Sequence, residues 1–255
     1  MQYLGLVPYP EAWQLQDRLA REIAAGERFP TLLLLEHPHT YTFGRSGRPQ
    51  NLLWDETELA RRNISVHWVD RGGDVTYHGP GQLVGYPLIP LGRAGMQVNP
   101  RSDTARLPQT DYIGYLRNLE EVLIRALSRF GVKGERLPGL TGVWVYPQPT
   151  RIEDEIAPRP APGPAKIAAI GVKVDARGVT RHGFALNVNP DMSYWEGIIG
   201  CGLADYLVTS LNEILSSPPA LQEVAGYVAR AFGEVFNYQM VISDLIPAMF
   251  DRGIN

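Results

Sequence analysis

Two strand-length apolar segments, 166–174 and 179–188, are separated by only four residues that end in Gly178. A connection this short with a terminal glycine is typical of a β-hairpin, so the sequence predicts two antiparallel strands side by side. Apolar runs of similar length predict further strands at 31–35, 64–69, 83–89 and 143–146. The hairpin therefore has partners with which it can build a larger sheet.

Helical spacing of apolar residues occurs between these strands, without a regular alternation of strand and helix. One predicted helix follows Pro10, and others cover 56–62, 111–130, 203–215 and 221–236. Within the strand 83–89, Gly85 and Pro87 indicate a bulge or an edge position. This irregular mixture predicts an α+β fold in which a mixed β-sheet is flanked by helices.

The size of the chain predicts one domain. Its 255 residues are 44% hydrophobic, which is enough for a full core, so we expect a single domain over 1–255. Segment 147–164 holds six prolines and predicts a mobile loop within that domain. Segment 92–109 predicts a second irregular loop.

Charge and hydropathy narrow the class of partner. The formal net charge of −3 provides no basic field, so we do not expect nucleic acid as a partner. No apolar run approaches the ~20 residues of a membrane span, and the first residues lack the pattern of a signal peptide. We therefore expect a cytoplasmic protein that acts on small molecules or on other proteins, with no membrane partner.

Four glycines surround Arg71, Tyr77 and His78 in the segment RGGDVTYHGPGQ, 71–82. Glycine allows positive φ and close backbone approach, so a loop of this kind can lie against a ligand and donate N–H groups to it. The alternative is a structural double turn. The spacing matches neither a P-loop nor a dinucleotide-binding fingerprint.

The chain has a single cysteine, Cys201, which excludes an internal disulfide and a thiolate-cluster metal site. A lone cysteine is often a buried apolar residue. Here it lies between Gly200 and Gly202, and glycine leaves room for a substrate carbonyl and for backbone N–H groups that hold an oxyanion. From the residues alone, the packed cysteine and the nucleophile are about equally favoured.

Lysine is scarce, since Lys133, Lys166 and Lys173 are the only lysines among 24 basic residues. Lysine can lose its proton more readily than arginine, so each is a candidate for chemistry. Regular alternation along 166–174 puts Lys166 at the head of an apolar face and Lys173 on the other face, unless a bulge at Gly171 intervenes. The alternative for Lys166 is a snorkelling lysine at a strand end.

Three histidines also need an interpretation. His182 alternates with Phe184 and is predicted to face inward, where a core histidine bonded to a neighbour is the favoured interpretation. His37 and His39 share a predicted strand face. Two histidines without a third ligand are a weak signal for a metal, so we do not infer a metal site.

The motifs together resemble a known family. They are LLLLEHPHTYTFGRSG at 32–47, RGGDVTYHGPGQLVGYPLI at 71–89, KIAAIGVKV at 166–174, HGFALNVNPD at 182–191 and GCGLADYLVTSL at 200–211. In content and spacing they are similar to the octanoyl-[acyl carrier protein]:protein N-octanoyltransferases of lipoate biosynthesis, the LipB family. The similarity extends from about Leu4 to Phe236. The proline-rich stretch before Lys166 is longer than the short turn usual in that family.

The resemblance implies a fold akin to biotin and lipoate protein ligases, an acyl-thioester nucleophile at Cys201 and a paired lysine at Lys166. It implies no cofactor, neither a metal nor a nucleotide. The residues that it implies as the substrate lining are Arg71, Gly72, Gly73, Asp74, Val75, Thr76, Tyr77, His78, Ala169, Ile170, Gly171, Gly183, Phe184 and Ala185.

The function implied by the resemblance is the transfer of an octanoyl group from octanoyl-acyl carrier protein to a lysine of a lipoyl domain. The implied acceptors are the lipoyl domains of 2-oxoacid dehydrogenase complexes and the glycine cleavage H protein. Two alternatives stay open. One is an ATP-dependent lipoate or biotin protein ligase on the same scaffold, and the other is a non-catalytic module that binds lipoyl domains.

Overall fold

The computed structural model describes residues 1–91, 111–146, 163–200 and 206–242. The strands in these ranges are β1 (Gln2–Leu6), β2 (Thr31–Glu36), β3 (Thr40–Phe43), β4 (Ser65–Trp68), β5 (Val75–His78), β6 (Gln82–Leu88), β7 (Val143–Val145), β8 (Ala165–Val174), β9 (Thr180–Asn187) and β10 (Leu207–Val208). The helices are α1 (Tyr9–Ala25), α2 (Glu56–Arg61), α3 (Tyr112–Ser128), α4 (Leu211–Ile214) and α5 (Leu221–Phe236). The predictions for 92–109, for 147–162 and for Cys201 concern residues outside the described ranges.

The larger sheet has seven strands in the order β1-β2-β6-β9-β8-β10, with β7 also paired to β8. The β8–β9 hairpin is confirmed as an antiparallel pair from Ala168 to Val174 on β8. Strands β1 and β10 join their neighbours in parallel, whereas β6, β7 and β9 run antiparallel to theirs. The predicted α+β fold with a mixed sheet is therefore confirmed.

Helices cover both faces of this sheet. The apolar side of α1, including Leu15 and Leu19, packs with Val84 and Ala185 on one face. Helices α3 and α5 pack on the other face, where Phe184 lies in the larger core cluster. No helix in the described part of the chain is long and apolar enough to cross a membrane.

A smaller three-stranded sheet has the order β4-β3-β5. Its β5 occupies part of the segment 71–82, which the glycine content had predicted to be a loop. The prediction was wrong for Val75–His78, because these four residues contain no glycine and pair with all of β3. Glycines bracket this strand instead of interrupting it.

Strand β6 is central, lying between β2 and β9, so the predicted edge position was wrong. Pro87 is tolerated because the β6–β9 pairs end at Gly85, and the Pro87 carbonyl accepts a hydrogen bond from the Thr180 hydroxyl at 2.6 Å. Gly85 causes no bulge. A Cβ there would collide with the ring of Phe184, so this glycine makes room for a core side chain.

The last part of the described chain holds two helices, α4 and α5. The predicted helix 203–215 is confirmed only for the four residues of α4, whereas Leu207–Val208 is a strand. Ser210 caps α4 and Glu213 completes a capping box, which fixes the start of that helix. The predicted helices at 56–62, 111–130 and 221–236 are confirmed within one or two residues.

A buried carboxylate on α3 bonds to the residue that directly precedes β7. Glu120 is fully buried and accepts from Arg117 at 2.7 Å, and the Arg136 guanidinium lies 3.2 Å from it. Its second oxygen accepts from the backbone N–H of Gly142 at 3.1 Å. Because Gly142 directly precedes β7, this carboxylate fixes the position at which β7 enters the sheet.

Replacing Glu120 with alanine should lower the free energy of unfolding by about 2–3 kcal/mol, since the buried Gly142 N–H loses its acceptor. Urea unfolding at pH 7 measures this change. Glu121→Ala is the matched control, because Glu121 is half-buried and pairs with exposed arginines, so its loss should be under about 1 kcal/mol. Equal losses in the two variants would contradict the role given to Glu120.

Candidate active site

Four small residues form a bare patch in the middle of the larger sheet. Ala169 pairs with Ala185, and Gly171 pairs with Gly183, so the four lie as a two-by-two block. Ala185 packs on the α1 side of the sheet, which places the block on that face. Because none of the four carries more than a methyl group, the patch is the floor of a recess.

The recess contains about 470 Å³ of space when its open mouth is included. Its walls come from the glycine-containing segment before β5, from β5 and β6, and from the start of α1. The lining residues are Tyr9, Arg71, Gly72, Gly73, Asp74, Thr76, His78, Val84, Tyr86, Ala169, Ile170, Gly171, His182, Gly183, Phe184 and Ala185.

Backbone contacts hold the segment 71–74 over the floor. The N–H of Gly72 donates to the carbonyl of Val172 on β8 at 3.0 Å. On its other side the segment accepts from the backbone of 44–46, and a Cβ at Gly44 would collide with the carbonyl of Gly73. Glycine is therefore required where the two backbones meet, and Gly73 also has a φ of +86°.

Arg71 is buried and lies across the floor. Its guanidinium donates to the carbonyl of Thr42 at 2.5 Å, to the Thr42 hydroxyl at 3.0 Å and to the carbonyl of Gly72 at 2.9 Å. A Cβ at Gly171 would lie 3.1 Å from its Cδ, so the arginine stem rests directly on the sheet there. These contacts make Arg71 a fixed wall of the recess.

The Asp70 carboxylate contacts three basic side chains next to Arg71. Its carboxylate accepts from His182 at 2.7 Å and from Arg181 at 2.6 Å, and it also pairs with Lys173. Burial opposes ionisation of this carboxyl, but the hydrogen bonds from His182 and Lys173 and the charge of Arg181 outweigh it and hold the pKa of Asp70 below its ordinary value. The Asp70 carboxyl therefore stays ionised near neutral pH.

His182 is buried, as predicted, but it does not share the face of Phe184. Its φ of +56° breaks the regular alternation of side chains along β9. The ring therefore lies on the sheet face that carries the recess. There it bonds to Asp70, and its Nδ1 lies 3.4 Å from the Tyr9 hydroxyl. Burial lowers the pKa of His182, and the hydrogen bond and charge of Asp70 oppose this effect only in part.

Lys166 was predicted to head the apolar face of β8, and this prediction was wrong. Val143 pairs with Ala168 while Trp144 pairs with Lys166, so β8 has one extra residue, Ile167, opposite that step. Ile167 and Ala168 both point to the α3/α5 core. The extra residue moves Lys166 to the other face, the one that carries Ala169 and the floor.

Lys166 is 7% exposed and lies beyond the lining of the recess, on the same sheet face. Strand β10 runs alongside it, since Val208 pairs with Lys166 and the N–H of Thr209 donates to the Lys166 carbonyl at 3.0 Å. The floor thus has a buried lysine beyond one end and the Asp70 cluster beyond the other.

Comparison with known proteins agrees with this arrangement. The lipoyl protein ligase A/B catalytic domain family matches residues 8–233. An octanoyltransferase of Chloroflexus aurantiacus is 47% identical over 234 residues, which is 92% of this chain and 92% of that protein. An octanoyltransferase of Rubrobacter xylanophilus is 44% identical over 232 residues, 91% of this chain and 90% of that protein.

The chain belongs to the lipoyl protein ligase A/B catalytic domain family. Its relatives named octanoyltransferase confirm the resemblance predicted from the motifs, and the chain is an acyltransferase.

Solved structures show the same fold at low identity. A bipartite lipoate protein ligase from Thermoplasma acidophilum, described with its E2 lipoyl domain, superposes with a TM-score of 0.63 at 16% identity, covering 96% of this chain and 87% of that one. A lipoate-protein ligase A bound with ATP superposes with a TM-score of 0.61 at 15% identity, covering 96% of this chain and 89% of that one.

The residues that the resemblance implied for this family separate into three groups. All of the implied lining residues border the recess except Val75 and Tyr77, whose side chains pack into the cluster under the smaller sheet. Lys166 lies beyond the floor, and Cys201 lies outside the described residues. Alternation along β5 accounts for Val75 and Tyr77, which point away from Thr76 and His78.

Four lining residues were missed by the sequence analysis, and one of them, His182, had been interpreted as a core histidine. Val84 and Tyr86 share one face of β6, so period-two alternation could have identified them once the floor was known. Tyr9 carried no such signal, because it reaches the recess from the first residue of α1. Among the described residues no group of three or more His, Cys, Asp or Glu side chains could hold a metal ion.

Two further histidines are buried at this site, His78 in the lining of the recess and His37 behind the lining residue Tyr86. His37 is fully buried, bonds to the Val7 carbonyl and to the Tyr86 hydroxyl, and has its pKa lowered by burial to about 4. His78 is also buried, and burial lowers its pKa well below the ordinary value. Both rings are therefore neutral in the folded protein at pH 7.

The folded protein should lose stability on mild acidification. An unfolded histidine takes up a proton near pH 6.5, whereas His37 in the folded chain does so only near pH 4, so the unfolded state binds more protons between these values. For one histidine, each pKa unit by which the folded state lies below the unfolded state corresponds to about 1.4 kcal/mol of unfolding free energy. This amount is lost as the unfolded state becomes protonated. Stability should therefore be complete above about pH 6.5 and should fall steadily towards pH 4.5.

Urea unfolding at pH 7.5, 6.0 and 5.0 measures this slope. His37→Gln keeps a donor for Val7 and an acceptor for Tyr86 but cannot titrate. In this variant the free energy of unfolding should depend less steeply on pH, by the contribution of about one bound proton. Equal slopes in the variant and the parent would show that His37 does not carry the effect.

Proposed function

We propose that this acyltransferase takes an octanoyl group from octanoyl-acyl carrier protein onto Cys201 as a thioester and transfers it to a lysine of a lipoyl domain. Lys166 assists both steps. The observation that carries the proposal is a buried lysine beside a recess with a floor of small residues, in a chain whose 47% identical relative is an octanoyltransferase.

The recess suits an acyl chain. Its floor is apolar and formed by small residues, and Val84 adds an apolar wall, so a hydrocarbon chain lying there loses its contact with water. The lining residues of segment 71–74 and of β8 and β9 are the ones that we propose to contact it. The Asp70 cluster and Arg71 then lie at the end of the recess farther from Lys166.

The proposed nucleophile lies close in sequence to residues that approach Lys166. Tyr206 packs edge-on against Trp144 with ring centroids 5.1 Å apart, and Trp144 pairs with Lys166. Only five peptide links join Cys201 to Tyr206 along the chain. Proximity of the Cys201 thiol to the Lys166 amine is part of the proposal.

The chemistry needs no ATP. The donor thioester is already activated, so the Cys201 thiolate attacks its carbonyl and the carrier thiol leaves. An acceptor lysine then attacks the acyl-enzyme, which forms an amide and releases the Cys201 thiolate. Lys166 stabilises the thiolate by its charge, and it carries protons between the thiol and the amine groups.

The acceptor follows from the same family. The Thermoplasma acidophilum ligase is described with its E2 lipoyl domain, and lipoyl domains are the acceptors that we propose here. Lipoyl domains of 2-oxoacid dehydrogenase complexes and the glycine cleavage H protein are the expected substrates. An ATP-dependent ligase and a non-catalytic binding module are the competing functions, and the experiment below separates all three.

Mixing the protein with octanoyl-acyl carrier protein, without ATP, should add one octanoyl group to Cys201. Intact-mass analysis detects this adduct, and hydroxylamine should remove it because the bond is a thioester. Adding a lipoyl domain should then move the acyl group to that domain. Cys201→Ala should form no adduct and should lose at least about a hundredfold in transfer rate. A requirement for ATP would favour the ligase, and absence of transfer would favour the binding module.

Lys166→Met should slow alkylation of Cys201 by iodoacetamide at pH 7 about tenfold, because the thiolate loses a neighbouring charge. Lys166→Arg keeps the charge but cannot act as a base near neutral pH, so it should retain fast alkylation while transfer falls about a hundredfold.

The matched control is Lys133→Met. The Lys133 side chain is 87% exposed and pairs only with Glu135 among the described residues, so both rates should stay unchanged. Lys173 is not suitable as a control, because it contacts Asp70. Wild-type transfer by Lys166→Met would remove Lys166 from the mechanism.

A further inference from the structure

The ammonium of Lys166 lies over the ring of Trp144, with its nitrogen 4.8 Å from the ring centroid. Among the described residues, no hydrogen bond or ion pair to this ammonium is present. A buried ammonium without compensation is strongly unfavourable, and the face of an indole ring is the strongest cation partner among aromatic side chains. Within the described part of the chain, Trp144 is therefore the group that attracts the Lys166 charge.

Trp144 is itself held from several directions. It is fully buried, and both its backbone N–H and its carbonyl bond to Glu135, at 2.9 Å and 2.7 Å. Val143 and Val145 point into the α3/α5 core, so alternation turns the indole to the opposite face. Tyr206 packs edge-on against it at 5.1 Å. The ring has little freedom to move away from Lys166.

The contact also depends on the extra residue in β8. With Ile167 inserted, Trp144 and Lys166 become direct cross-strand partners, and side chains of such partners lie on the same face. A Cβ at Gly142 would collide with the Ala168 carbonyl at 2.6 Å, so glycine is required where the chain approaches β8 just before Trp144. The bulge and the ring together determine the direction in which the amine points.

We propose that Trp144 is a positioning residue for the acyl transfer, because the face of its ring holds the Lys166 amine in the orientation from which it acts. This inference rests on the proposed role of Lys166. Trp144 itself touches neither the thioester nor the acceptor lysine in this proposal. Its effect should therefore appear in the rate of transfer and not in the binding of the carrier protein.

A series of fluorinated tryptophans at position 144 tests the attraction separately from the packing. Mono-, di- and trifluorination weaken the negative face of the ring stepwise while nearly preserving its shape and its indole N–H. The N–H matters because it is buried without a partner among the described residues. The transfer kcat should fall stepwise by about five- to thirtyfold in total, with little change in KM or melting temperature. Equal kcat values across the series would overturn the proposal.

A second experiment measures the chemical reactivity of the Lys166 amine independently of transfer activity. Trace labelling with acetic anhydride at pH 8, followed by peptide mass analysis, gives the reactivity of Lys166 relative to the exposed Lys133 in the same molecule. Trp144→Leu should raise this ratio at least threefold, and Trp144→Phe should give an intermediate value, since phenylalanine keeps a weaker ring face. An unchanged ratio would also overturn the proposal.

The two measurements separate failure of this inference from failure of the proposed function. If Lys166→Met transfers octanoyl at the wild-type rate while the labelling ratio responds to Trp144, the ring holds the amine but the amine is not part of the mechanism. If Lys166→Met is inactive and the fluorinated series is flat, Lys166 acts without help from the ring. If Trp144→Leu does not fold, the fluorinated series alone decides.

Discussion

The antiparallel register between β8 and β9 is the constraint on which the site depends. It sets Ala169 against Ala185 and Gly171 against Gly183, so small residues coincide on one face while Ile170 and Phe184 coincide on the other. A slip of one residue would exchange the two faces, and large side chains would then fill the recess. The same pairing therefore builds the core under α3 and α5 and leaves the opposite face bare.

The two ends of this floor differ in their electrostatics. At one end, the Asp70 carboxylate pairs with Lys173 and Arg181 and accepts a hydrogen bond from His182. At the other end, Lys166 has an aromatic ring and no carboxylate partner among the described residues. Within the described residues, this contrast supports the proposal that Lys166, and not Lys173, takes part in the chemistry.

The fold is shared with a lipoate-protein ligase A bound with ATP, so the fold alone does not decide the reaction. Relatives at 44–47% identity over nearly the whole chain identify the transferase class. In the proposed mechanism, one buried lysine serves both thiolate formation and amide formation. The proposed contact with the Trp144 ring would keep the amine in one place through both steps without occupying one of its hydrogen-bond donors.

The β8–β9 hairpin, the long helices and the α+β class could be predicted from the sequence, because each depends on the periodicity of neighbouring residues. The motifs, in turn, were sufficient to identify the family. The faces of Lys166 and His182 could not be predicted, because an extra residue at Ile167 and a positive φ at His182 break the alternation on which such predictions rest. The central position of β6 could not be predicted either. Pro87 indicated an edge strand, and the hydrogen bond that its carbonyl accepts comes from the Thr180 hydroxyl, 93 residues away in sequence. Local pattern thus determined which elements form, whereas contacts between residues distant in sequence decided which side chains face the site.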